Sequence, residues 1–492
     1  MAEPFEKRIL EIIPGALIWL TLILGILFSF IQPLWVIYFI IMFDLFWLLR
    51  LVYFTFYLLV SWMKFRKAIK VDWFEKLRQI PGWDIKRHVV FFPTYGEPIE
   101  VLENTFEELL KINYPLDKLI IILGGEAREE EVFMEKARAM ERKYASRFHK
   151  FIITVHPDAP GEMPGKGSNL NYMGRQVKEF IDQQGISHED VIVSSFDVDT
   201  VTHPQYFAYL TYLYLTVPDP TRCSYQPVAL YSNNIWQSRA VVRVSSFGTI
   251  FWLLAELARP ERLWTFSSHS MSFKMLVDVG FWQKDIVTED TRIFLQGLVR
   301  YHGDYRVVPM HLPVSMDAVT GENFSQAVKN LYKQQRRWAW GVEHFPYMIE
   351  KFKKDKLMPL RVKIKYVLNH LEGMYTWAMA PILIFLLGYL PLFVAQESAR
   401  AQALFQNAPY TLETLMRVAM LGILISAILS LKLLPPRPTA YPRHRYVIMI
   451  LQWILLPVTF VVFGALPAFD AQTRLMLGGS RRLGFEVTRK KR

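Results

Sequence analysis

The feature that most constrains this chain is the position of its apolar residues, which are concentrated near the two ends. Long apolar runs occupy residues 12–31 and 34–60, and three more occupy residues 376–394, 415–431 and 446–468. A helix needs about 20 apolar residues to cross the roughly 30 Å hydrocarbon layer of a bilayer, so each run is a candidate membrane span. A buried core helix is the alternative, but such helices are usually shorter and amphipathic. The pattern therefore predicts an integral membrane protein.

The composition of the 492-residue chain agrees with this prediction and excludes other classes. Hydrophobic residues make up 52%, the mean hydropathy is +0.16 and the formal net charge is +12. Such an apolar chain is not intrinsically disordered. The single cysteine, Cys223, excludes an intramolecular disulfide framework. A nucleic-acid-binding protein is excluded because the basic residues cluster beside the apolar runs and in the C-terminal tail, not along one soluble face.

The basic residues also predict the orientation of the spans, because Lys and Arg are retained on the cytoplasmic side. They flank the first two runs at Lys7, Arg8, Lys64, Arg66, Lys67 and Lys70. We therefore expect a multi-pass protein of the plasma (inner) membrane whose middle segment is cytoplasmic. The last run poses a conflict, since a complete crossing would place the basic tail, residues 471–492, outside. Either one apolar run is not a full span, or the run 446–468 is re-entrant.

Between the terminal regions, residues 85–345 are typical of a cytoplasmic α/β domain. Short β-rich runs at residues 88–92, 119–123, 151–155 and 191–195 alternate with amphipathic segments. This alternation predicts a mostly parallel sheet that binds its ligand at the carboxyl ends of the strands. The predicted organisation is an N-terminal membrane region, the α/β domain, a region of interfacial helices and spans, and a basic tail: residues 1–70, 85–345, 346–470 and 471–492.

Two carboxylates follow the fourth β-rich run in the segment Phe196-Asp197-Val198-Asp199-Thr200. In an extended chain, residues i and i+2 point the same way, so both carboxylates can reach one ligand. Paired oxygen ligands at the end of a strand suit Mg²⁺ or Mn²⁺ bound to phosphate oxygens. The alternative is a turn in which the Asp side chains cap backbone amides.

A second acidic pair, Glu289-Asp290, stands at the start of an amphipathic stretch. Acidic residues are favoured at a helix N-terminus by the helix dipole, which is sufficient to explain their presence. The functional alternative is a carboxylate that acts as a general base.

The segment Gln334-Gln335-Arg336-Arg337-Trp338 falls in a predicted helix. Its apolar residues recur at helical spacing: Phe324, Val328, Leu331 and Trp338. Gln334, Arg337 and Trp338 share one face, where a guanidinium group can bind phosphate and an indole can stack on a ligand. The alternative is a basic, aromatic helix lying on the membrane surface beside anionic lipid.

Taken in order, these motifs resemble those of the processive, membrane-embedded family-2 glycosyltransferases, the group that contains cellulose and hyaluronan synthases. The chain is most similar to bacterial cellulose synthase-like catalytic subunits, and the resemblance covers nearly its whole length. The resemblance implies a GT-A-like, nucleotide-sugar-binding α/β domain inserted between N-terminal and C-terminal transmembrane helices. It further implies an inverting transfer of sugar from UDP-glucose or another UDP-sugar to a growing β-linked polysaccharide, which is extruded across the membrane.

The resemblance also implies roles for individual residues. The donor would be bound by Thr94, Tyr95, Glu97 and Glu126 at the nucleoside, and by Lys166, Asp197, Gln334 and Arg337 at the diphosphate. Asp199 would bind Mg²⁺ or Mn²⁺ directly, with help from Asp197, and Asp290 would be the general base. The acceptor would contact Trp338 and His269, although a hydrogen-bonded structural role is the alternative for the histidine. A gating loop would cover the nucleotide with Phe485, Val487, Thr488 and Lys490.

Two other functions stay open at this point. One is a non-processive membrane glycosyltransferase that acts on a lipid-linked acceptor. The other, from a different class, is a transporter whose cytoplasmic domain senses a nucleotide. Transport pathways usually contain intramembrane ionisable residues, and Asp44 and Arg50 are the clearest candidates. Expected partners are the nucleotide sugar, a glycan or lipid-linked acceptor, the bilayer, and a periplasmic or other accessory subunit.

Overall fold

The computed structural model describes residues 2–394 and 403–484. The strands are β1 Arg87–Pro93, β2 Leu119–Glu126, β3 Lys150–His156, β4 Val191–Ser195, β5 Val201–Thr202, β6 Cys223–Leu230, β7 His269–Ser272 and β8 Arg306–Ser315. The first nine helices are α1 Ala2–Ile31, α2 Pro33–Ala68, α3 Trp73–Leu77, α4 Ile99–Leu109, α5 Glu130–Tyr144, α6 Lys166–Gln183, α7 Tyr206–Thr216, α8 Ala240–Leu257 and α9 Phe273–Asp278. They are followed by α10 Glu289–Arg300, α11 Phe324–Ala339, α12 His344–Lys354, α13 Leu360–Ile382, α14 Leu390–Val394, α15 Ala403–Leu433, α16 Arg445–Leu451, α17 Leu456–Thr459 and α18 Leu466–Leu477.

The strands form one sheet in the order β3-β2-β1-β4-β7-β6-β8-β5. The four predicted strands are confirmed as β1 to β4, and they are parallel to one another. The sheet as a whole is mixed, because β7 runs antiparallel to β4 and β6, and β5 runs antiparallel to β8. After β6 the chain passes through α8 and returns to the carboxyl edge of the sheet, so the next strand must run in the opposite direction.

The sheet is covered on both faces, as the almost continuous apolar strands require. In β2, Ile120 and Ile122 pack into one core, which includes residues of α6 and α8, while Ile121 and Leu123 pack into the other, which includes residues of α4 and α5. This alternation follows from the two-residue period of a strand. The α/β fold predicted for the central domain is confirmed.

Within residues 2–394 and 403–484, five helical segments are long and apolar enough to cross a membrane: Phe5–Ile31, Pro33–Ala68, Ala240–Leu257, Leu360–Val394 and Arg445–Leu477. Four of them contain predicted runs. The predicted run 415–431 lies in α15, where the described apolar stretch is the shorter Leu424–Leu433. The helix α8 was not predicted as a candidate. It is apolar on all sides because it packs against both β6 and α2, and most of its residues are buried within the protein.

The segment Arg445–Leu477 is interrupted by a 3₁₀ turn and a π-helical turn. Near its start, Arg243 of α8 donates a hydrogen bond from Nε to Gln452 Oε1 at 2.6 Å. Near its end, Arg336 of α11 pairs with Asp470 at 3.0 Å. Both ends of this segment therefore contact helices of the central domain.

Candidate functional site

The residues singled out from the sequence gather at the carboxyl edge of the sheet. Thr94 follows β1, Glu126 ends β2, and Asp197 lies two residues after β4. Because these strands are parallel and adjacent, their ends open onto the same edge. Two helices also begin there, α6 at Lys166 and α10 at Glu289. The topology thus brings together residues that are distant in the sequence.

Lys166 is the centre of this arrangement. Its Nζ lies 2.9 Å from Asp197 Oδ1, 2.9 Å from both carboxylate oxygens of Asp290, and 3.5 Å from Glu289 Oε1. Burial lowers the pKa of Lys166, but the three carboxylates outweigh burial and hold this pKa well above its usual value. Burial also raises the pKa of Glu289 to about 7, and neighbouring Asp290 adds to the shift. Lys166 is therefore protonated, and its charge is shared among the carboxylates that surround it.

The two aspartates of the Asp-x-Asp segment are held differently. Asp197 accepts a hydrogen bond at Oδ2 from Ser267 Oγ at 2.8 Å. Asp199 is fully buried, and its Oδ2 accepts from the backbone N–H of Asp317 at 2.8 Å. The side chain of Asn233 donates to the backbone carbonyl of Asp199 at 3.0 Å. Asp199 therefore caps a backbone amide, as one interpretation of the sequence expected.

The carboxylates of this pair fit a hard divalent cation only together with ligands from a substrate. Among the described residues, no group of three or more His, Cys, Asp and Glu side chains could hold a metal ion. Mg²⁺ is commonly bound by one or two carboxylates, with phosphate oxygens and water completing its shell. Asp197 and Asp199 are the residues that could provide the protein's share of such a shell.

Asp290 is the second residue of α10 and is held from its backbone. Thr265 donates a hydrogen bond from Oγ1 to the backbone carbonyl of Asp290 at 2.6 Å. The ring of His269 lies nearby, with Nδ1 at 3.8 Å from Asp290 Oδ1 and at 2.8 Å from the carbonyl oxygen of Phe266. Burial lowers the pKa of His269, which is fully enclosed. Its hydrogen bond to the backbone agrees with the structural alternative, and its contact with an acceptor stays a prediction.

The predicted nucleoside contacts form a compact group beside β1 and β2. Glu97 Oε2 accepts hydrogen bonds from Thr94 Oγ1 at 2.7 Å and from the backbone N–H of Tyr95 at 2.6 Å. The guanidinium carbon of Arg128 lies 4.3 Å from the centre of the Tyr95 ring, and its Nε lies 3.1 Å from Glu126 Oε2. Arg128 was missed by the sequence analysis, although an arginine two residues after a carboxylate that ends a strand was a usable signal.

A small open cleft borders this group on the side of β3, and its lining includes Glu126, Arg128 and His156. Two glycines, Gly124 and Gly125, directly precede Glu126, and neither position has room for a side chain. A Cβ atom at Gly124 would overlap Met173 of α6, and one at Gly125 would overlap the ring of Phe133 of α5. The Gly-Gly pair thus lets helices on both faces pack closely where β2 ends.

Helix α11 carries the predicted Gln-x-x-Arg-Trp motif. The ring of Trp338 packs against Tyr231 with a centroid distance of 5.7 Å. Burial, followed by the charges of Asp197, Asp199 and Asp290, raises the pKa of Tyr231, so Tyr231 lies within electrostatic range of these carboxylates. Arg337 interacts electrostatically with Glu289 and Tyr231, and Gln334 is half-buried on the same helix.

The apolar face of α11 differs in part from its prediction. Phe324 is 57% exposed because it lies in the first turn of the helix, outside the core, whereas Leu331 is buried as expected. The buried face consists of Ala327, Leu331, Gln335 and Ala339.

Some predicted residues belong to other parts of the chain. The gating-loop residues lie outside the described residues: Phe485, Val487, Thr488 and Lys490. Asp44 is buried in α2. Arg50, also in α2, pairs with Glu372 of α13, a partner that the sequence analysis did not identify.

The mixed α/β sheet gathers lysine and carboxylate side chains at its carboxyl edge, which is where open α/β sheets bind their ligands. The family described as Glycosyl transferase family group 2 matches residues 192–469, which is more than half of the chain. The chain therefore belongs to this family and is a glycosyltransferase. No curated protein matches its sequence.

Two solved structures resemble parts of the fold distantly. The mannosyltransferase PcManGT from Pyrobaculum calidifontis, in complex with GDP-Man and Mn²⁺, is 15% identical with a TM-score of 0.39, and the match covers 82% of this chain and 99% of that chain. TarS 1–349 of S. aureus, in complex with UDP-GlcNAc, is 12% identical with a TM-score of 0.34, covering 70% and 90%. At these TM-scores neither comparison bears on the donor or the metal of this chain.

Proposed function

We propose that the protein transfers a sugar, with inversion, from a nucleotide-sugar donor to a growing β-linked polysaccharide and passes the product across the membrane. The observation that carries this proposal is the position of Lys166 between Asp197 and Asp290. The leaving diphosphate and the attacking hydroxyl must meet at one carbon atom, so the groups that serve them must be adjacent. A single lysine that touches both carboxylates satisfies this requirement.

The proposed reaction is a single displacement. Asp290 accepts the proton of the acceptor hydroxyl as its oxygen attacks the anomeric carbon, and the bond between that carbon and the diphosphate oxygen breaks. Lys166, Gln334 and Arg337 stabilise the negative charge on the departing diphosphate. Because attack and departure occur on opposite sides of the carbon, the configuration inverts.

The remaining donor contacts are assigned by the same proposal. Asp197 and Asp199 hold Mg²⁺ or Mn²⁺, which supplies additional positive charge at the diphosphate when it is bound. The nucleoside is bound by Thr94, Tyr95, Glu97 and Glu126, next to Arg128.

The acceptor side of the proposal rests on α11 and the membrane helices. Trp338 stacks on the acceptor sugar, because its ring packs against Tyr231, which interacts electrostatically with the carboxylates, and indole faces are suited to sugar rings. The segments that are long and apolar enough to cross a membrane give the polymer a route out of the cytoplasm. Residues 85–345 are the proposed catalytic domain, placed in the cytoplasm at the plasma membrane, with the C-terminal tail as the cover of the nucleotide.

The test is a turnover screen on the purified full-length protein in lipid nanodiscs with Mn²⁺. UDP-glucose is the first donor, followed by other UDP-sugars and by GDP-mannose, with release of nucleoside diphosphate as the readout and linkage analysis of the product. Polymer of β-linked sugar supports the proposal. A single sugar on lipid would support the non-processive alternative and contradict processivity, and no release with any donor would contradict the proposal as a whole.

A further inference from the structure

A buried chain of polar side chains lies directly behind the proposed base. Thr288, two residues before Asp290, has its Oγ1 at 2.9 Å from Glu343 Oε1 and at 3.2 Å from His344 Nε2. The Nε of Arg292 lies 3.2 Å from His344 Nδ1. His344 and Arg292 are both more than nine-tenths buried. The reaction described above uses none of these four side chains.

The direction of the hydrogen bonds in this network follows from the protonation states of His344 and Arg292. Burial lowers the pKa of His344 well below its usual value, and Arg292 lowers it further, so the imidazole is neutral. Because Arg292 can only donate, His344 Nδ1 is the acceptor and Nε2 carries the hydrogen. That hydrogen is donated to Thr288 Oγ1, which leaves the hydroxyl hydrogen directed at Glu343 Oε1. The order of donation is therefore Arg292, His344, Thr288, Glu343.

The two end members of this hydrogen-bonded network, Arg292 and Glu343, have further partners of their own. Arg292 donates from Nη1 to Gln283 Oε1 at 2.6 Å, and its guanidinium carbon lies 3.8 Å from the centre of the Tyr347 ring. Burial raises the pKa of Glu343 to about 6, opposed by Arg292 and by the hydrogen bond from Thr288, so Glu343 is mainly a carboxylate at neutral pH. A buried polar network in which each member has a defined partner holds a single arrangement.

This hydrogen-bonded network connects two parts of the proposed site. Glu343 ends the 3₁₀ turn that directly follows α11, the helix that carries Trp338. Thr288 precedes the first turn of α10, in which Asp290 is the second residue. On the other side, Thr265 holds the backbone carbonyl of Asp290. Two side chains link the base-bearing turn to the segment after α11 by hydrogen bonds, Thr288 to Glu343 and His344 and Arg292 to His344, and Thr288 is the one nearer to Asp290 in the sequence.

We propose that Glu343 is a positioning residue for the glycosyl transfer, which acts through Thr288 to fix Asp290 relative to the acceptor helix α11. This inference rests on the proposed role of Asp290 as the base. Glu343 and Thr288 do not touch the donor in this arrangement, so their loss affects the chemical step and leaves donor binding in place.

The test compares Thr288→Val and Glu343→Ala with the double variant, in the full-length protein with UDP-glucose or the donor that the turnover screen identifies. We expect each single variant to lower kcat about tenfold or more, with the donor KM changed less than about twofold. The double variant falls no further than the worse single variant, because both remove the same hydrogen bond. Thr288→Ser and Glu343→Gln keep the hydrogen bond and restore most of the activity.

The matched control is Glu350→Ala, which removes a partly exposed carboxylate from α12 and leaves kcat unchanged. Circular dichroism and UDP binding by calorimetry verify that every variant is folded. Unchanged kcat in both single variants, or fully additive losses in the double variant, would overturn the positioning role. Wild-type turnover by Asp290→Asn would instead overturn the proposed base, so the two failures are distinguishable.

Discussion

The two halves of the sheet place their candidate residues at the same carboxyl edge in different ways. In the donor half, β1 to β4 are parallel, and the candidate residues follow strand ends through short local segments. In the other half, the chain leaves through α8, returns as the antiparallel β7, and reaches Asp290 on a helix held by residues next to α11. Strand ends therefore place Thr94, Glu126 and Asp197, whereas contacts with the segment after α11 hold the turn that carries the base. Substitutions in the first half should change donor binding, and those in the second half should change the chemical step.

The largest expected effect is that of Asp290→Asn, which tests the second half. The amide cannot accept the proton of the acceptor hydroxyl, so turnover should fall by about 10²–10⁴-fold. Affinity for UDP should stay within about twofold of the wild type, because Asp290 is not among the proposed donor-binding residues. Initial rates of UDP release and calorimetric titration with UDP measure the two quantities. A large loss of UDP affinity would break the proposed division between the halves.

Lys166→Met should affect both halves, because Lys166 contacts Asp197 and Asp290 together. Removing a buried cation leaves its carboxylates uncompensated, which costs about 3–5 kcal/mol in comparable buried pairs. We expect lower kcat, weaker UDP binding and a lower melting temperature. The control is Lys178→Met, on the same helix but partly exposed and paired only with Asp182, where all three measurements should stay near wild type.

The smallest effect is expected for Arg128→Ala, which tests the donor half alone. The variant removes the cation over the Tyr95 ring and the ion pair with Glu126. Loss of about 1 kcal/mol corresponds to a donor KM raised about fivefold, with kcat unchanged. Arg138→Ala, an exposed substitution in α5, is the control. A fall in kcat at saturating donor would show that Arg128 also acts on the chemical step.

Much of the donor half could be predicted from the sequence. Apolar runs bounded by turn residues predicted β1 to β4, and the Asp-x-Asp spacing predicted two carboxylates at one strand end. Local patterns were sufficient because each residue follows its strand within a few positions. The reason for the Gly124-Gly125 pair, the close approach of Met173 and Phe133, is visible only in three dimensions.

The other half could be predicted less well, since its contacts join distant parts of the chain. Nothing local in Thr288 indicates Glu343 as its partner, and nothing local in Arg50 indicates Glu372. The antiparallel β7 was missed because β7 is only four residues long. The apolar character of α8 has two sources, burial against the sheet and burial against α2, and the hydropathy pattern does not separate them.

The burial of α8 between the sheet and α2 has a practical consequence for the biochemistry of this enzyme. If residues 85–345 were produced alone, α2 would be missing, and one side of an 18-residue apolar helix would be open to water. Exposed apolar surface of this extent drives self-association. The catalytic domain should therefore aggregate when it is excised, and activity should be sought in the full chain, extracted in detergent with its N-terminal helices attached.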